Sequence, residues 1–488
     1  MRYLGDSDRL IVPEGVTSIS EGYTVFKRGL SEIAISGTVE HIPVSSLRCY
    51  DSIKRVTVSE NNPFYKMVDG DLYTKDGKTL VCCISGALRE CFSIPDGVEI
   101  IGDWAFYYCR RIKEITIPEG VQVIGKYAFN NCSGITRIVI PKSVTYIGKE
   151  AFSGCTSLAE PVFLNGSLDM GEMAFAWCQA LKTIELPKGL RILADRTFRE
   201  CRHLVSVTVP EGVEVIGSEV FEGCLALETV SLPEGLIEIG HNSFGKCGAL
   251  RNIRIPNSVT NIRRNAFAHC SAITEMDIPD GVSKIKTGVF FFCRSLKRVR
   301  LPEGLTHIGE SAFESCGKLK SINVPDGVVS IGKRAFAYCD ALREINIPER
   351  LLGIGKYAFR GMPMKSLPNV NLRITEALER SINTDLWIEA VRGWLDCYYS
   401  ATAEERNSSE NREWTVYVGK RVRELFPHFV NYPAWYVFIM ENKLRSHKRI
   451  DELLKATTDP ESRVILLNYA EKVKSVDGEG VEKRYKLK

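Results

Sequence analysis

Sixteen cysteines and seven histidines are the side chains of this 488-residue chain best suited to metal ligation, disulfide bonding or nucleophilic catalysis. Their spacing argues against all three. Eleven of the cysteines recur at a fixed 23-residue interval: Cys109, Cys132, Cys155, Cys178, Cys201, Cys224, Cys247, Cys270, Cys293, Cys316 and Cys339. One thiol per interval, with no histidine keeping the same beat, does not gather the two to four ligands a metal needs. Disulfide frameworks belong to short secreted chains. The ladder reads instead as one small buried apolar residue per repeat, and Cys82-Cys83 reads as part of a strand. Many free thiols favour a reducing compartment. The histidines (His41, His203, His241, His269, His307, His428 and His447) occupy unrelated positions. There is no glycine-rich phosphate loop and no nucleophile elbow. The expectation is a non-enzymatic chain without metal or cofactor.

The cysteines belong to a larger pattern. Phenylalanine precedes each by three residues, and twelve phenylalanines keep the period: Phe106, Phe129, Phe152, Phe175, Phe198, Phe221, Phe244, Phe267, Phe290, Phe313, Phe336 and Phe359. Proline stands eleven residues before phenylalanine in every unit except the one that opens at Leu164. A fixed period of this length marks a solenoid. The unit from Pro118 reads PEGVQVIGKYAFNNCSGITRIVI. Pro-Glu-Gly is a turn, and Val121 and Ile124 flank it in a short extended stretch. KYAFNNC lacks breakers, and the spacing places Ala128, Phe129 and Cys132 on one side of a short helical turn. Ile138 and Ile140 alternate with Arg137 and Val139, the period of a strand with one buried face. No single unit can bury its apolar positions, so stacking must do it, with neighbouring strands paired in parallel.

The period also runs towards the N-terminus. Val16, Ile19, Leu30, Ile33 and Ile35 fit a unit opening at Pro13, and Val39, Ile42, Leu47, Ile53, Val56 and Val58 fit one opening at Ser36. The next unit carries extra residues. There Asp76-Gly77 separates the strand-like runs Asp71–Tyr73 and Thr79–Val81, which predicts a β-hairpin insertion. The domains expected are residues 1–92, repeats with that insertion at about 59–94; 93–370, regular repeats; 371–475, a helical domain; and 476–488, a polar, disordered tail.

The recurring IP, G, V, IG, AF, C, L and I at this period resembles the BspA-like, or Treponema-type, leucine-rich repeat family. VDGDLYTKDGKTLV is similar to an insertion common in that family. The resemblance covers about three quarters of the chain. It implies an α/β solenoid, a right-handed curved leucine-rich repeat with 23-residue units, used for protein binding. Several members of the family are surface proteins that adhere to host matrix proteins.

Function is expected at positions that do not keep the beat. On the long strand the outward residues change from unit to unit. The candidates for partner binding are Arg137, Glu185, Asn252, Arg254, Glu275, Asp277, Arg298, Arg300, Asn323, Glu344 and Asn346, which the leucine-rich resemblance places on the concave sheet face. Arg254, Glu275 with Asp277, and Arg298 with Arg300 alternate in sign over three units. That alternation suits either cross-strand pairing or a polar recognition patch on a preformed surface.

Beyond residue 370 the pattern turns helical. Trp387, Val391, Trp394, Leu395 and Tyr398 share one helix face, and Trp414, Tyr417, Val418, Val422 and Leu425 form a similar one. Pro433 suits a first helical position, and Asp459-Pro460-Glu461 suits a helix start. This region reads as a small all-α domain that caps the last repeat. Its aromatic residues read as a core, and the sharper alternative is a partner-binding groove lined by Trp435, Tyr436 and Phe438, which are too close in sequence to share one helix face, so some should contact the solenoid end, another chain or solvent.

A net charge of +4 over this length implies no nucleic-acid partner. No apolar run reaches the roughly 18 residues of a membrane span, and the N-terminus lacks a leader-like run. The expectation is a cytoplasmic, monomeric protein-interaction scaffold. The alternatives are a secreted or surface adhesin of the same fold, or a regulatory or catalytic role for the helical region.

Overall fold

The computed structural model describes residues 8–19, 31–44, 47, 53–84, 89–164, 166–348, 350–361, 372–380, 384–401, 403–406, 408–442 and 450–476. Leu30, residues 362–371 and the tail from 477 lie outside the described residues. The chain is a β-solenoid of about 14 rungs followed by helices.

Strand partners are one sequence period apart. The longer strand of one rung pairs in parallel with that of the next, as in Thr183↔Ser206↔Thr229↔Asn252. A second, two-residue strand does the same on another side of the rung, as in Ile192↔Val215↔Glu238↔Asn261. Apolar residues point inward on both, because alternate side chains of a strand face opposite ways. All twelve phenylalanines are buried. Their rings stack from rung to rung with centroids 4.8 to 6.0 Å apart and planes within 19°.

The segment around phenylalanine departs from the expected helical turn. It is a run of tight turns. The residues two before and two after phenylalanine take positive φ, as Tyr127 (56°) and Asn131 (59°) do. A left-handed residue other than glycine carries roughly 1–2 kcal/mol of strain. Here the conformation aims alternate N–H groups along the solenoid axis. Tyr127, Phe129 and Asn131 donate to the carbonyls of Lys149, Ala151 and Ser153 on the next rung, at 2.9, 2.7 and 2.8 Å. The segment is therefore a third hydrogen-bonded ladder.

The cysteines complete it. Cys132, Cys155 and the eight column cysteines after them each donate Sγ–H to the carbonyl of the preceding rung's phenylalanine, at 2.9 to 3.4 Å. Glycine after most of the short strands is a matter of space. A Cβ on Gly332 would lie 2.4 Å from the backbone nitrogen of Glu310 on the rung before.

At the N-terminus the strands Arg9–Ile11, Glu32–Ile35 and Arg55–Val58 pair in parallel at the same offset of one period. The insertion contains more than the expected hairpin. Tyr65–Val68, Asp71–Thr74 and Thr79–Cys82 form an antiparallel meander, and its last strand pairs in parallel with Ile100–Ile101 as a short rung strand. The buried Asn62 anchors its start. Its amide donates to Ser36 and Val39 carbonyls and accepts from the Phe64 and Tyr65 N–H groups. The apolar core divides here. One cluster runs from Leu10 to Ile84, and a second runs unbroken from Tyr73 through the rungs to Leu466.

The helices are α1 (Leu372–Arg380), α2 (Thr384–Ser400), α3 (Ala403–Arg406), α4 (Ser409–Lys420), α5 (Val422–Phe429), α6 (Pro433–Glu441), α7 (Ile450–Ala456) and α8 (Pro460–Val476). Helix α1 packs on Gly353–Ile354, the last described short strand, and so covers an edge that a solenoid must cap. Pro433 opens α6, and Asp459 caps α8 by accepting the Ser462 N–H at 2.7 Å.

Trp435, Tyr436 and Phe438 lie in the aromatic core, as the first reading has it, and not along a groove, since all three are fully buried. Helix α6 lies between α2 and α8, so both of its faces are covered. Trp435 stacks on Phe429, Phe438 meets Trp394 edge-on, and the Tyr436 hydroxyl donates to the Val430 carbonyl.

Candidate strand-face site

The outward positions of the longer strands form a row because their neighbours are inward and apolar. Glu275–Asp277 and Arg298–Arg300 each show an exposed–buried–exposed pattern around Met276 and Val299. Parallel pairing one period apart sets Glu275 beside Arg298 and Asp277 beside Arg300. Arg298 lies between two carboxylates, 2.9 Å from Glu275 and 3.5 Å from Asp277. The Glu275 hydrogen bond, then the two negative charges, raise the Arg298 guanidinium pKa.

Arg300 and Arg254 find partners that sequence reasoning missed. Arg300 pairs with Asp280 at 3.0 Å and donates to the Ile278 carbonyl at 3.2 Å. Arg254 pairs with Glu234 at 3.1 Å. In both cases the acid is the second residue of the Pro-Asp-Gly or Pro-Glu-Gly turn that opens the rung, and the arginine stands near the end of that same rung. The signal was present as an acidic turn residue and a basic strand end at a fixed offset.

Five of the eleven sequence candidates thus come together. Arg254, Glu275, Asp277, Arg298 and Arg300 line one depression of about 380 Å³. The long-strand ladder is interrupted beside it, between Asn252–Ile253 and Glu275–Asp277. The other six are spread along the solenoid. Arg137 pairs with Glu160 at 3.4 Å. Glu185 borders a separate depression of about 290 Å³, beside Leu164 and Pro187 at the irregular rung. Asn252 and Asn323 are exposed. Glu344 pairs through its backbone with Ser321, and its side chain lies outside those described. Asn346 is engaged by the fold, because its amide accepts from the Val324 N–H at 2.7 Å and donates to the Val324 carbonyl at 2.5 Å. It stands in for a strand bond.

The depression presents charge on a rigid sheet. Exposed ion pairs of this kind add little stability because solvent screens them, so their main effect is to fix where each charge sits. Among the described residues, no group of three or more histidine, cysteine, aspartate or glutamate side chains could hold a metal ion. No helix among them is long and apolar enough to cross a membrane.

The family comparison agrees with this architecture. The family model described as BspA type leucine rich repeat region matches residues 85–172, 162–274 and 260–379. Among solved structures, a leucine-rich repeat protein from Bacteroides ovatus is 30% identical, with 61% of this chain and 90% of that one covered and a TM-score of 0.44. A leucine rich cell surface protein from Faecalibacterium prausnitzii is 25% identical, with 62% and 89% covered and a TM-score of 0.41. No curated protein matches the chain. With the family model spanning the regular rungs, this chain belongs to the BspA-type leucine-rich repeat family, whose members generally serve as protein-interaction scaffolds.

Proposed function

We propose that the chain is a non-enzymatic scaffold that binds a protein partner across the outward face of its longer strands, with the depression around Arg298 and Arg300 as the polar centre of recognition. One observation carries this reading. Inward positions of the longer strands stay apolar from rung to rung, whereas Arg254, Glu275, Asp277, Arg298 and Arg300 converge on one depression and are held in place by ion pairs. Pre-positioned charge favours a specific partner, because the side-chain ordering that binding requires is already made. Charge of alternating sign also rejects partners of the wrong pattern.

The test is affinity capture with the wild type and the Arg298→Glu/Arg300→Glu protein in parallel. A partner of this face binds the first and is lost from the second. Equal capture of every bound protein by both would overturn the assignment.

A further inference from the structure

The glycine that follows most of the short strands has little room for a side chain. A Cβ on Gly240 would lie 2.2 Å from the carbonyl oxygen of Gly217 on the rung before. Three rungs nevertheless carry a side chain at this position: Ala194, Arg263 and Lys286. Among the described residues, the short-strand ladder is interrupted twice between Asp169 and Ile354. One interruption separates Asp169–Met170 from Ile192–Leu193, just before Ala194. The other separates Asn261–Ile262 from Lys284–Ile285, just before Lys286. Arg263 is accommodated, since its N–H still reaches the Ile239 carbonyl at 2.9 Å. At the second interruption, then, backbone pairing gives way where two consecutive rungs place long cations in a glycine column. A departure from a fold's own rule, made where charge is gained, marks a place to look for function.

A groove of about 640 Å³ lies over this interruption and extends from Asp195 to Gly309. It crosses six rungs, and at roughly 4.8 Å per strand it is about 24 Å long. Its two carboxylates are already engaged. Glu238 accepts from Nε and Nη2 of Arg263, both at 2.9 Å. Asp195 accepts from the Ser218 N–H at 2.7 Å. The remaining cations form no ion pair among the described residues. Lys286 donates only to the neutral Asn261 amide oxygen, at 2.7 Å. Its ammonium pKa is pushed down by burial and then by the neighbouring Arg263, and the Glu238 carboxylate, already paired with Arg263, offsets this only in part. Arg264 and Lys284 are exposed and pair with no carboxylate among the described residues.

We infer that this groove binds an extended acidic segment of a partner polypeptide, whose carboxylates meet Arg264, Lys284 and Lys286. The length suits a strand-like segment of about seven residues at about 3.3 Å each, rather than a compact anion. The site is separate from the long-strand face and does not depend on the function proposed for it.

The test is fluorescence anisotropy on the full chain, with a labelled seven-residue peptide of alternating Asp and Ser, end-blocked, at low and high salt. Inorganic polyphosphate serves as a competing polyanion. The wild type should bind the peptide, and more weakly as salt rises. Arg264→Glu/Lys284→Glu, at exposed positions, should weaken binding about tenfold or more. Lys286→Gly restores the glycine column, so it should lose binding while keeping or raising Tm. Peptide binding that is equal in all three proteins, or binding of polyphosphate alone, would overturn the inference.

Discussion

The thiol of Cys247 donates a hydrogen bond to the main-chain carbonyl of Phe221 on the preceding rung, 3.1 Å away. The bond satisfies a buried acceptor that the turn ladder would otherwise leave with only part of its hydrogen-bonding capacity used. Serine at this position would bring a more strongly hydrated group into the core, and alanine would lose the bond. The column is thus a backbone clasp, and the thiols should be chemically silent. In the native protein, a thiol reagent should modify Cys91 and Cys397, the exposed cysteines among those described. The column cysteines should react only after unfolding, and rapid native modification of the column would contradict the clasp.

The same burial gives the stability a pH dependence. The thiol pKa is pushed up to about 12 at Cys155, Cys201, Cys293 and Cys339, chiefly by desolvation. Five more column thiols are raised in the same direction. An unfolded thiol loses its proton near pH 9, whereas the folded one holds it. Above pH 9 the folded state therefore binds more protons, and stability falls as pH rises towards 12. Each thiol contributes up to about 1.4 kcal/mol per pH unit in that window. Urea unfolding at pH 7, 8, 9 and 10 should give a flat stability to about pH 8 and a steep loss beyond.

Phe221 sits between Phe198 and Phe244, with centroids 5.8 and 5.3 Å away. Phe221→Ala should destabilise the chain by roughly 3–5 kcal/mol through the cavity it leaves. Phe221→Leu should be milder. Calorimetry or urea denaturation of both variants measures the difference.

Gly332 tests the close approach of the short strands. Gly332→Ala forces a Cβ against the Glu310 backbone, whereas a flexible side chain could move aside. A loss of about 1–3 kcal/mol is expected, with faster amide exchange at Ser330–Ile331. A neutral effect would show that the rungs separate more easily than the contact implies.

Much of this was legible in the sequence because a solenoid writes its core periodically. Phenylalanine, cysteine and proline located the rungs, and parallel pairing one period apart follows from the same count. Three features escaped that reading. The positive φ two residues either side of phenylalanine falls on glycine or asparagine in some rungs but on Tyr127, Glu150 or Arg196 in others, so the turn ladder passed for a helical turn. Trp435, Tyr436 and Phe438 could be buried together only because α2 and α8 cover opposite sides of α6, a tertiary fact. On the strand face the sign alternation was visible, but Asp280 and Glu234 were not identified as partners. They come from the turn that opens the rung, while the arginines end it.

Site-specific photo-crosslinking tests the central claim most directly. A benzophenone amino acid is placed at Asn252 and at Thr208 on the long-strand face, and at Ser315 on the turn ladder, in the full chain. The captured partner should crosslink from Asn252 and Thr208 and not from Ser315. Crosslinking from Ser315 with none from the strand positions would place recognition on another side of the solenoid and contradict the account.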